Sequence, residues 1–72
     1  MGLSYKGLWV LLAQKEINKT QLREMAGIGT ATLAKLSKNE YVSLEVIDKI
    51  CNVLECKVGE VMEHIPDTKD GE

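Results

Sequence analysis

Between Asn18 and Ser37 the chain sets two short apolar-periodic stretches with only Gly27-Ile28-Gly29 between them. Asn18 is a good N-cap and puts Gln21 at N3, a capping-box arrangement. The spacing then predicts a helix over Lys19–Ala26 with Leu22, Met25 and Ala26 facing inward. Gly27 stops it, because glycine just past a helix takes the left-handed conformation without a Cβ penalty. Ile28 follows as an apolar plug, Gly29 opens the next turn, and a further helix is expected over Thr30–Ser37 with Leu33 and Leu36 as its inward pair. At about 100° per residue, the side opposite those leucines carries Ala31, Ala34, Lys35 and Lys38. Two short helices joined by a tight, glycine-opened turn are the signature of a helix-turn-helix. A helix braced from behind and bare in front can enter a major groove, where base edges show a unique pattern of donors and acceptors.

The flanks extend the helical pattern. The one proline stands at position 66, and the 44% hydrophobic content includes no Phe, one Trp and two Tyr, so the core is left to Leu, Ile, Val and Met. Tyr5, Leu8, Trp9 and Leu12 form the stripe of a first helix running to about Glu16, with Ser4 available as cap and Trp9 read as a core anchor rather than a stacking platform. Gly7 costs that helix about 1 kcal/mol. Lys38 to Val42 reads as a loop. Ser43 caps a fourth helix striped by Leu44, Ile47, Cys51 and Leu54, and Val58, Val61, Met62 and Ile65 stripe a fifth that Pro66 ends. The expected fold is all-α, five helices in one domain over residues 1–66, with residues 67–72 a disordered acidic tail.

Several function classes are disfavoured. No apolar run approaches the roughly 20 residues that cross a bilayer, and the first residues lack the features of a signal peptide, so a cytoplasmic protein without membrane attachment is expected. Cys51 and Cys56 have no zinc spacing and His64 is the single histidine, so neither metal nor cofactor is expected. Cys51 falls on an apolar stripe, where a buried, reduced thiol acts as a small hydrophobe. No titratable cluster suggests catalysis, and a non-enzyme is expected. The net charge of −2 hides a division: residues 1–41 carry six basic side chains against three acidic, residues 42–72 three against eight. One face suits an anion and another turns away from it.

The run Asn18-Lys19-Thr20-Gln21-Leu22-Arg23-Glu24-Met25-Ala26-Gly27-Ile28-Gly29-Thr30-Ala31-Thr32-Leu33-Ala34-Lys35-Leu36 resembles the Cro- and lambda-repressor-like (XRE-type) helix-turn-helix family. The likeness continues through Ser43-Leu44-Glu45 and Ile50–Leu54 to Val61-Met62, about residues 5–65. The resemblance implies a five-helix lambda-repressor-like domain that binds double-stranded DNA as a transcriptional regulator, commonly a repressor and a homodimer. By position it implies base contacts from Thr30, Ala31 and Lys35, a backbone contact from Thr32, and phosphate contacts from Asn18, Lys19, Thr20, Lys38 and Asn39. Two positions depart from the family pattern. Arg23 stands where Ala is usual, so its stem must lie along the surface with its charge in water, and either the helices cross more loosely or Arg23 faces outward near the backbone. Gly29 stands where a Ser or Thr cap is common.

Each of these residues also has a plainer use. Lys35 can donate to guanine O6 or N7, or be solvated. Ala31 can touch a thymine methyl or simply favour helix. Thr30 and Thr32 can bond to DNA or to their own backbone. The alternative for the whole chain is a protein-binding module, such as an antitoxin or a subunit of a larger regulator, using the acidic fourth and fifth helices.

Overall fold

The computed structural model describes residues 2–66. Strand β1 (Gly2–Ser4) leads into helices α1 (Lys6–Lys15), α2 (Lys19–Ala26), α3 (Thr30–Ser37), α4 (Leu44–Leu54) and α5 (Val58–Val61), and strand β2 (Glu63–Ile65) closes the chain. Helix α1 packs against α5, α2 against α4 and α3, and α4 against α5. Tyr5, Leu8, Leu12, Leu22, Ala26, Ile28, Leu36, Ile47, Ile50, Leu54 and Val61 form the buried core.

The first four helices end the same way. Glu16, Gly27 and Glu55, directly after α1, α2 and α4, and Asn39, one residue beyond the Lys38 that follows α3 with φ −103°, all have positive φ, between 53° and 68°. In each case the next amide donates back five residues: Ile17 to Leu12, Ile28 to Arg23, Glu40 to Lys35 and Cys56 to Cys51. This Schellman closure satisfies carbonyls that the helix leaves orphaned. It also turns Ile28 directly into the core, as the Gly27-Ile28 pair predicted.

The structure departs from the sequence reading at the chain's ends. The five helices are present, but the all-α expectation lacks the antiparallel ribbon that pairs Gly2 with Ile65, Leu3 with His64 and Ser4 with Glu63. The fifth helix spans only Val58–Val61; Met62 is already extended. Pro66 restricts Ile65 to extended backbone, so the proline that was expected to end a helix instead favours a strand before it. His64 therefore lies on β2. Ser4 is not the N-cap of α1: Tyr5 holds that position, while the Ser4 hydroxyl accepts from the Lys6 amide at 3.2 Å. The expected tail over residues 67–72 lies outside the described residues.

Several apolar positions expected on inward stripes are not buried. Val58 and Ile65 of the expected fifth helix are exposed. Met25 is 47% and Leu44 75% exposed, and Leu33 is half-buried, leaving Leu36 as the buried residue of α3. Met25 lies about 80° around α2 from the midline of Leu22 and Ala26, and Leu44 about 90° from the midline of Ile47, Ile50 and Leu54. Helices this short bury a narrow stripe, and both residues fall off its edge.

Candidate nucleic-acid interface

The start of α2 is fixed by its own side chains. The Asn18 Oδ1 accepts from the Gln21 amide at 2.7 Å, and the Gln21 Oε1 accepts from the Asn18 amide at 2.9 Å. That capping box occupies the Asn18 carbonyl oxygen and leaves its side-chain NH2 and the first-turn amides of Lys19 and Thr20 at an exposed helix N-terminus. Such amides suit a phosphate oxygen.

Helix α3 presents Thr30, Ala31, Ala34, Lys35, Ser37 and Lys38 to solvent, with Thr32 half-buried and Leu36 buried behind them. Its N-cap Gly29 makes no side-chain cap bond, so the first-turn amides of α3 are also left uncapped. The two lysines stand on the bare face, as the helical spacing predicted. Arg23, one of the two residues that depart from the family pattern, is accommodated at the surface. Its side chain is 34% exposed and its guanidinium lies 4.0 Å from the Glu24 carboxylate.

The C-terminal end of α3 is bolted to α1. The Asn39 Oδ1 accepts from the Tyr5 amide at 3.0 Å, and the buried Tyr5 hydroxyl donates to the Glu40 carbonyl at 2.8 Å. Asn39 thus has a structural duty that sequence reasoning missed, and it is met by the Oδ1 alone. Burial pushes the Tyr5 hydroxyl above its usual range, a hydrogen bond with the Val42 backbone partly offsetting this. A hollow of about 400 Å³ beside this joint is lined by Gly2, Lys35, Asn39, Glu40 and Tyr41. Tyr41 is 65% exposed there and was not singled out by the sequence pattern.

Lys19 is held from two sides. Its ammonium lies 4.5 Å from the centroid of the Trp9 ring and 3.3 Å from the Ser37 Oγ. Trp9 is half-buried and packs on the core, so it is the expected anchor and carries a cation on its outer face as well. No periodic signal links positions 9, 19 and 37, which is why the trio escapes a reading of the sequence. Lys38 and Thr20 are exposed. Among the described residues no three His, Cys, Asp or Glu side chains converge as metal ligands, and no helix is long and apolar enough to cross a membrane.

Residues 7–67 match the profile of the Cro/C1-type HTH DNA-binding domain. The chain is 34% identical over 64 residues to the uncharacterized HTH-type transcriptional regulator YozG of Bacillus subtilis (strain 168), a match covering 86% of this chain and 76% of that protein. Its fold is similar to the crystal structure of the transcriptional regulator VanUg, with a TM-score of 0.88 and 44% sequence identity over 92% of this chain and 88% of the other.

Proposed function

This chain belongs to the Cro/C1-type helix-turn-helix DNA-binding family, and from that membership we propose that it is a transcriptional repressor whose α3 enters the major groove of double-stranded DNA. The observation that carries the reading is the bare, lysine-bearing side of α3, exposed from Thr30 to Lys38 over the buried Leu36. In this arrangement Thr30, Ala31 and Lys35 read base edges, and Thr32 steadies the approach to the backbone. Asn18, Lys19 and Thr20 hold a phosphate on one side of the groove, and Lys38 and Asn39 hold one on the other.

A single domain of this size buries about 600–1,000 Å² on DNA, so two copies on a palindromic site supply the affinity that regulation needs. Occupying a promoter is regulation this surface performs by itself, hence repression. The same reading treats residues 1–66 as the DNA-binding unit, working in the cytoplasm.

The test is a duplex selected from random sequence, followed by gel shifts. Lys35→Ala weakens or retargets binding, whereas Lys49→Ala, on α4 and 3.9 Å from Glu45, leaves it unchanged. Equal binding by both variants overturns the placement of α3. Lys19 and Lys38 of two copies neutralise about four phosphates, which gives a log–log salt slope near −3.5; a slope near zero favours a protein-binding module instead. Sedimentation with and without the duplex checks the dimer, and a strict monomer on DNA refutes it.

A further inference from the structure

We propose that Trp9 is a positioning residue for DNA binding: it holds the Lys19 ammonium ready for a phosphate, between the start of α2 and the end of α3. The inference rests on the DNA-binding reading above and adds to it a residue from α1, a helix with no other assigned part in the interface.

An ammonium has three N–H donors. In the free protein one lies at hydrogen-bond distance from the Ser37 Oγ, 3.3 Å away, and the charge sits over the Trp9 face at 4.5 Å. That ring attracts a cation through its quadrupole. Lys19 is nevertheless exposed, so donor capacity remains for a phosphate oxygen arriving from solvent. A lysine normally loses the freedom of a four-carbon stem when it docks. Here the stem is already ordered by a rigid ring that the core holds from behind, so less freedom is lost on binding. The same contact spans three helices. Trp9 lies on α1, Lys19 on α2 and Ser37 on α3, and fixing the ammonium among them fixes the gap between the two phosphate-facing ends.

The probe is a short duplex of random sequence, because phosphate contacts need no particular bases. Trp9→Leu keeps apolar bulk and removes the quadrupole, and binding is expected to weaken about two- to fivefold, the range of a partly exposed cation–π contact. Trp9→Phe keeps a ring and restores most of the loss. In a Lys19→Gln background Trp9→Leu has no further effect on affinity, since the group it positions is gone. Trp9 is the only tryptophan, so its emission reports the contact directly. Lys19→Gln shifts it in the free protein, and adding duplex perturbs it in the wild type more than in Lys19→Gln.

Thermal unfolding of each variant separates loss of fold from loss of positioning. Additive effects of Trp9→Leu and Lys19→Gln overturn the proposal while leaving the DNA-binding reading standing. A wild-type protein that ignores the duplex overturns both. Should Trp9→Leu not fold, Trp9→Phe and the emission of Lys19→Gln decide: unchanged emission in that variant refutes the contact.

Discussion

Replacing Gly7 by alanine sets helix propensity against packing, and the geometry decides the sign. On propensity alone, alanine in α1 gains up to about 1 kcal/mol over glycine, less in a first turn. In the fold a Cβ at Gly7 stands 2.5 Å from the Glu60 carbonyl oxygen and 3.3 Å from its carbonyl carbon. Those atoms are backbone, so no side chain can swing aside, and the two helices must part by about half an ångström. Parting is resisted at both ends of the contact. Val61 beside it is fully buried, and the strands preceding α1 and following α5 are paired in register. Overpacking of this kind costs about 1–3 kcal/mol, so Gly7→Ala is expected to destabilise by about 1–2 kcal/mol and lower Tm by roughly 5–15 °C. The assay is thermal unfolding followed by circular dichroism, with Gly59→Ala as the control in the facing helix. A Cβ there meets nothing within 4 Å, so that variant keeps or raises Tm. An unchanged or higher Tm for Gly7→Ala refutes the close approach of α1 and α5.

Further outcomes follow from other contacts. Tyr5→Phe removes the donor to the Glu40 carbonyl and costs about 0.5–1.5 kcal/mol by denaturant titration. Burial pushes the Cys56 thiol from 9.0 up to about 11, with the neighbouring Cys51 adding to the effect, and also raises the Tyr5 hydroxyl above 10.0. Both groups hold their proton more tightly folded than unfolded. Stability is therefore complete below about pH 9 and falls as pH rises through 11; Cys56→Ala flattens part of that slope in a pH series of melts. Asn18→Asp keeps the cap bond to the Gln21 amide, so Tm changes little, while the added negative charge beside a phosphate weakens the gel shift. Glu55→Gly relieves a side chain from φ +53° and stabilises by about 0.5–1 kcal/mol in the same denaturant assay.

The legibility of this fold follows the range of its causes. Helix boundaries set by local chemistry read directly: Asn18 and Ser43 cap, Gly27 closes, and α2 and α3 run between the residues the sequence marks. Features set by distant contacts did not read. Nothing near Gly7 announces Glu60, and nothing near Asn39 announces Tyr5, since each pair is joined only once the helices stack. The ribbon failed for a related reason. Val58, Val61, Met62 and Ile65 fit a helical stripe, but the partner that decides for a strand is Gly2–Ser4 at the far end of the chain. At the candidate interface, spacing found the face of α3 because an exposed face needs only one buried partner, Leu36. It missed Trp9 and Ser37, whose contribution depends on three helices meeting.

The pairing of Gly2–Ser4 with Glu63–Ile65 gives the described chain the topology of a ring with a latch. Helices form from neighbours a few residues apart, whereas this latch brings together positions some sixty residues distant, so it pays its closure entropy only after the bundle has drawn its ends near. Its strands are short and β2 is exposed along its length. Opening the latch exposes little beyond Leu3, so it is the part of the described chain whose amides are expected to exchange before those of the helices.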